Sequence, residues 1–420
     1  MGLDRREALL AGLAAWAGTG VSARAAPGDP LSGATLYADV KTYAGLGEHR
    51  TGTPGDEATT KWLADALTAA GYAVERQGFD YPVFELARSD LGIGGRTIKG
   101  FPYWTPGLSP PGGAKGPLSA NGGPGKVALV DLPPGTGAGL EAPPPAQIAE
   151  AVASGARAVV AITENRLGEL AALNRTPKAE PWKVPVLLVA GREAAALKAA
   201  AARGAEAIVR LDGRTVTHKA HNVVGRRARP GKHLVLSTPK SGWLHCAGER
   251  GSGIAIWLGL ARWLAASTDH NLTIVAASGH EFDGYGGHLF SETLAPKPAA
   301  TKLWLAIGAN VAVYDFELKD GQVVRRAGPP AERLLAVSDA LMPLAAKAFA
   351  GQPGYERPMD IDQRKPPGEV ALFQRLGYAP LVGMVASSVL HHTPRDVADV
   401  TDGSLLEPVA RGLQTILREA

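Results

Sequence analysis

Among its 420 residues the sequence has a single cysteine, Cys246, so no internal disulfide can form. In an exported chain, which meets an oxidising compartment, this thiol stays free and is either buried or functional. The sequence also lacks any Lys/Arg run with interleaved aromatics. Its net charge of +4 is spread along the chain, so nucleic acid is not expected as a partner. The apolar stretch of residues 8–17 is too short to span a bilayer. Apolar residues make up 45% and charged residues 20%, the balance of a soluble globular chain and not of a disordered one.

The length suits two domains rather than one core. Residues 1–26 read as an export signal. Arg5 and Arg6 form a charged head, Leu9 and Leu10 follow closely, and Ala23-Arg24-Ala25 is a small-x-small cleavage site. The paired arginines are similar to a twin-arginine signal. A periplasmic or secreted location follows as an expectation, with no stable membrane span after cleavage.

Residues 47–53 form a polar, glycine-rich turn. It leads into a helix over 55–70, where Ala58, Trp62, Leu63, Ala66 and Leu67 recur at helical spacing and Gly71 ends the pattern. A strand over 73–77 follows. Residues 86–216 read as a separate unit, with strands at 126–131, 158–162, 184–189 and 206–211 and helices at 146–153 and 193–202. From residue 217 the main unit, begun at 27–85, resumes. It has strands at 222–225, 233–237, 272–277, 303–313 and 381–385, and helices at 252–266, 331–350 and 404–419. Strands alternating with helices predict an α/β fold, a mainly parallel mixed sheet sandwiched by helices. Chemistry in such sheets gathers at the carboxyl ends of the strands. The loops so placed are 238–253, 278–287, the region of Asn310, and 391–396.

Five segments run in one order: His221-Asn222-Val223-Val224-Gly225, Leu234-Val235-Leu236-Ser237, Gly251-Ser252-Gly253 opening a helix, Ile274 to Glu281, and His391 to Asp396. This order resembles the co-catalytic zinc aminopeptidases, whose fold glutaminyl cyclases share. The unit at 86–216 resembles a protease-associated domain, through Gly125 to Asp131, Ala153 to Ile162 and Val184 to Val189; in that family such a domain shapes or covers the substrate cleft. The resemblance implies two zinc ions held by two His, two Asp and one Glu, with a further Glu as general base. Carried onto this chain, the ligand positions fall on Pro239, Phe282 and Asn310, and Ser241 takes the place of the acidic partner in the first pair. Glu249 stands near the bridging carboxylate, Glu281 at the general base and His392 at the last ligand.

Proline cannot ligate, and a two-ion site needs several carboxylates, so a normal two-zinc site is not expected; one zinc in a rearranged set stays open. Glu249, His392 and His280 are its candidate ligands, with His245, Cys246, Asp283 and His391 nearby in sequence. Glu281 is the candidate acid or base. Lys240 and Cys246 are candidates for metal-free catalysis, the lysine filling the place of a lost metal charge and the thiol activated by His245. Glu369, Ser241 and Asn310 are candidate contacts to a small-molecule or peptide substrate. Three functions stay in view: an exported hydrolase of an amide-type bond with an altered site, a peptide-binding protein that has lost the chemistry, and a metal-free enzyme using Lys240, Cys246 or a serine.

Overall fold

The computed structural model describes residues 28–419 apart from 105, 138, 140–142 and 175–179. The expected export signal lies outside the described residues. Among these residues no helix is long and apolar enough to cross a membrane.

The main unit is a mixed sheet with helices on its faces, as the sequence predicts. Strands Asn271–Ala277, His233–Pro239, Thr301–Ile307 and Leu381–Ala386 pair in parallel. Antiparallel neighbours flank them, Glu206–Arg227 on one side and Arg333–Val337 on the other. The central strands are buried along their length and carry near-continuous apolar runs, as a sheet covered on both faces requires. Helix Ser252–Ser267 is apolar almost all round, and Ile254, Trp257, Leu258 and Leu260 are fully buried. Helix Pro54–Ala69 starts with proline in its first turn and carries Asp56 and Glu57 there, both suited to the positive end of a helix. Its Leu63 and Leu67 enter the core.

Two expectations are corrected. The strands expected at 73–77, 206–211 and 222–225 are parts of two long ones, Ala73–Ile93 and Glu206–Arg227. They pair antiparallel from Ala73↔Arg226 to Ile93↔Ala207, with one irregularity at Leu86/Arg88. The expected unit limits at 86 and 216 therefore fall inside continuous strands. The inserted segment joins the same sheet through Ala114–Ser119, which pairs with Glu206–Arg227. From there Val127–Asp131, Ala158–Thr163 and Val186–Ala190 continue in parallel. The helix expected over 331–350 is a strand at Arg333–Val337, a short 3-10 turn and a helix only at Met342–Ala348. Pairing with Leu381–Ala386 overrides the helix preference of its leucines and alanines.

An aromatic cluster closes the joint between insert and main unit. Trp104 stacks on Trp243 at 5.5 Å, and Phe101 and Phe282 meet the Trp243 ring edge-on. Trp243 Nε1 donates to Asn174 Oδ1 at 2.9 Å, so its one polar atom is satisfied in the core.

Candidate active site

The carboxyl ends of the two parallel arrays face each other. Between them lies a cavity of about 670 Å³. The main unit contributes Pro239, His280, Gly308, Asn310, Glu369, Val385, His391 and His392. The insert contributes Leu132 to Thr136, Thr163 to Arg166 and Ala171 to Leu173. Most of the lining is apolar, and the polar side chains of the main unit gather on the floor.

His280 is held there by the loop after Asn271–Ala277. Asn222 fixes that loop at both ends: its Oδ1 accepts from Ser278 N at 2.9 Å, and its Nδ2 donates to Gly286 O at 2.8 Å. A Cβ on Gly286 would sit 2.1 Å from Ser278 O, so only glycine permits this closure. His280 Nδ1 lies 3.3 Å from Glu369 Oε1. With Nδ1 donating to the carboxylate, Nε2 keeps its lone pair. Burial, then the charge of Arg250, lowers the pKa of His280 against the opposing pull of Glu369. The imidazole is therefore neutral at neutral pH and can accept a proton.

Glu249 and Arg250 belong to a π-helical turn, Ala247–Gly251, that opens helix Ser252–Ser267. Such turns are rare and concentrate at functional sites. Asp396 holds it, accepting from Gly248 N at 2.6 Å and Glu249 N at 2.9 Å. A Cβ on Gly248 would come within 2.8 Å of Asp396 Oδ1. Burial and the neighbouring Glu249 charge raise Asp396 to a pKa of about 7. Glu249 itself is fully buried, which pushes its pKa up, but Arg250, then His392 and His391, hold it well below the ordinary range. Arg250 Nη2 lies 2.7 Å from Glu249 Oε1.

His392 Nδ1 lies 3.0 Å from the carbonyl oxygen of Ala172 in the insert, and Ala172 N donates back to His392 O at 2.9 Å. A carbonyl can only accept, so Nδ1 carries a proton. That Nε2 faces Glu249 Oε1 at 3.3 Å. Both Glu249 oxygens and His392 Nε2 are buried without a hydrogen-bond partner. An imidazole nitrogen and a carboxylate that face each other need a positive species between them, a proton or a metal ion. His391 stacks on His392 with ring centroids 3.8 Å apart, and its Nδ1 is 3.9 Å from Glu249 Oε2. Ligand atoms of Glu249, His391 and His392 all lie within 4.8 Å of one another. A carboxylate with two imidazoles is a known donor set for one zinc with an open position. The backbone pinning of His392 is the orientation that metal-bound histidines use.

Three of the expected ligand positions offer no charged ligand. Pro239 has no donor, Phe282 lies in the aromatic cluster, and Asn310 Nδ2 is 3.2 Å from Ala386 O and 3.1 Å from His391 Nδ1.

Of the residues singled out from the sequence, His280, Asn310, Glu369 and His392 line the cavity, and Glu249 lies directly beneath. Glu281, Lys240, Ser241 and Cys246 do not line it. Glu281 accepts from Thr51 N at 2.6 Å, Thr51 Oγ1 at 2.9 Å and Ser241 Oγ at 2.7 Å. Ser241 Oγ in turn accepts from Gly279 N and His280 N. Lys240 is fully buried and ion-paired with Asp56. Cys246 is buried, and burial, then Glu249 and Asp396, push its thiol pKa well above the ordinary value, which leaves it unreactive. The roles of Asp56, Asp396 and Ala172 depend on long-range contacts that no spacing in the sequence reveals, although Asp396 closes the His391 to Asp396 segment and the His-His pair marks His391.

Backbone strain coincides with the site. Among the described residues, five non-glycine residues have positive φ, and four of them, Cys246, Asp283, Asn310 and His392, stand in the loops around the cavity floor.

The sequence matches no family model and no curated protein sequence. Solved structures do match. A zinc aminopeptidase from Bacillus subtilis aligns with a TM-score of 0.70 over 91% of this chain and 94% of that one, at 16% identity. An aminopeptidase from Aneurinibacillus sp. aligns with a TM-score of 0.60 over 92% and 93%, at 17% identity. A peptidase M28 precursor from Shewanella amazonensis aligns with a TM-score of 0.70 over 91% of each chain, at 13% identity. At such identities the likeness establishes architecture: this chain has the mixed α/β fold of the zinc aminopeptidases.

Proposed function

We propose that the chain is an exported hydrolase of amide-type bonds whose site holds one divalent cation rather than two. The observation that carries this reading is the cluster of Glu249, His391 and His392, whose ligand atoms all lie within 4.8 Å of one another at the base of the cavity. Glu249, His391 and His392 would hold the ion; when bound, such an ion polarises a carbonyl and lowers the pKa of water. His280 Nε2 takes a proton on the cavity side, and Glu369 orients the ring and stabilises the imidazolium that results. The apolar walls bind the substrate's side chain and exclude water. Glu281 sets the position of the 279–281 loop from behind, through Ser241 and Thr51. Lys240 and Cys246, buried away from the cavity, have no part in the chemistry.

The test is metal content of the full mature protein purified without added zinc, with turnover of a panel of peptide and acyl-amide substrates before and after chelation. About one equivalent of divalent metal, with turnover lost on chelation and restored by zinc, is expected. Turnover that persists at full rate in metal-free protein sinks the proposal. The Arg250–Glu249 contact favours a second reading, a peptide-binding protein without chemistry, because Glu249 already has a cation beside it. Peptides that bind without turnover at any metal loading would establish that reading instead.

A further inference from the structure

Arg250, buried beside Glu249, is a charged group that the mechanism above does not use. Its side chain is only 1% exposed. Nε donates to Ser241 O at 2.9 Å, Nη2 lies against Glu249 Oε1 at 2.7 Å, and Nη1 is buried with no hydrogen-bond partner. A guanidinium does not deprotonate in a protein, so its charge is permanent. Glu249 thus has two sides. Oε1 meets Arg250 and also faces His392 Nε2, while Oε2 looks toward His391.

We infer that Arg250 is a resident cation that already compensates the Glu249 carboxylate at Oε1, so that the group of Glu249, His391 and His392 takes only a single exchangeable ion. This rests on the one-cation reading of the site, and it goes further by naming what limits the site to one ion and what sets its affinity. Arg250 compensates the buried carboxylate when the ion is absent, so the ion-free protein keeps its fold. The same charge repels an incoming dication a few ångströms away, which weakens binding and keeps the ion exchangeable. Removing it reverses both effects: the ion is held more tightly, and the ion-free state loses the partner of a buried carboxylate.

The experiment is calorimetric titration of the full mature chain with zinc chloride, alongside thermal unfolding in chelator and in zinc, for wild type, Arg250→Met, Arg250→Lys and Glu249→Gln. Wild type is expected to take up one equivalent and to unfold at a higher temperature in zinc than in chelator, by a smaller margin than Arg250→Met. Arg250→Met should bind zinc at least about tenfold more tightly, and should unfold several degrees lower than wild type in chelator, with zinc restoring the loss. Arg250→Lys, which keeps the charge, should stay within about threefold of wild-type affinity, and Glu249→Gln should bind no zinc in any background. If Arg250→Met does not fold, Arg250→Gln, which keeps a donor for Ser241 O, carries the same expectation. Zinc uptake by Arg250→Met but not by wild type would overturn the one-cation reading of the native site and support the role given to Arg250. Two equivalents in wild type, or a folded neutral variant with wild-type affinity or no affinity, would overturn the inference.

Discussion

Two buried ion pairs stand close to the end of strand His233–Pro239, and they differ in how fully they are satisfied. In the first, Asp56 Oδ1 receives Lys240, while Oδ2 accepts from Gly52 N at 3.0 Å and Ser278 Oγ at 2.8 Å. The neighbouring Glu281 is likewise saturated by Thr51 and Ser241. In the second, Glu249 touches Arg250, yet neither of its oxygens has a hydrogen bond of proper geometry, and the facing His392 Nε2 has none. A saturated buried carboxylate ties elements together. An unsaturated one beside a cavity is arranged for something that comes and goes. The first network joins the 49–53 turn to two strand ends, whereas the second forms the base of the cavity.

The sharpest way to break that comparison is to remove a partner from the saturated pair. Lys240→Met leaves Asp56 charged and buried, and should cost about 3–5 kcal/mol in chemical denaturation while leaving ligand affinity of the folded fraction unchanged. A loss of turnover at full folding and full stability would instead move Lys240 into the chemistry.

The next test sets adjacent residues against each other. His280→Gln should lower kcat about 100-fold or more with little loss of stability, since its ring serves the cavity. Glu281→Gln should do the reverse, losing about 1–3 kcal/mol of stability through an imperfectly matched buried carboxamide, with kcat of the folded protein within a few-fold of wild type. Exchanged outcomes would make Glu281 the base.

The smallest effect is on pH. His49 stacks on Tyr43 and faces Thr59; burial, then the charge of Lys240, depresses its pKa to about 3. Its folded value lies below the unfolded value, so the unfolded chain binds the proton first. Its stabilising contribution is present above about pH 6.5 and is lost as pH falls toward 3. Asp396 tilts the other way. Its folded pKa of about 7 exceeds the unfolded value, so its contribution is present at low pH and is lost as pH rises from about 4 through 7. Unfolding free energy measured between pH 4.5 and 7.5 should therefore depend less on acid in His49→Gln and lose more stability toward acid in Asp396→Asn. Parallel curves in both variants would mean that neither group is coupled to folding.

The contrast also shows what one sequence can disclose. The α/β architecture was legible in the spacing of apolar runs; helix Pro54–Ala69 and strands His233–Pro239 and Asn271–Ala277 stand within a few residues of their expected limits, whereas the strand expected at 303–313 is Thr301–Ile307. The alanine- and leucine-rich segment after Ala331 was misread because its partner strand lies far along the chain. At the site, the glycine-rich loop after Asn271–Ala277 was legible as functional, but not which of its consecutive side chains enters the cavity. His280 does, and Glu281 turns back toward Thr51. Asp56 and Ala172 carried no local signal, and Asp396 only its place at the end of the His391 to Asp396 segment. Each acts on a residue at least 147 positions away, the separation of Glu249 from Asp396.

The long pairing of Ala73–Ile93 with Glu206–Arg227 bears on how the molecule comes into being. Its two strands are more than 110 residues apart where the insert leaves and returns, and Glu206–Arg227 also supplies the edge on which Asn271–Ala277 is laid. The main sheet therefore cannot be completed until the whole inserted segment has been made and its ends brought together. Contacts of such long sequence separation are slow to form, because the loop they close must be ordered before they repay its entropy. The completion of the active site therefore waits on the inserted segment. A chain with a damaged insert should fail in assembly rather than in catalysis.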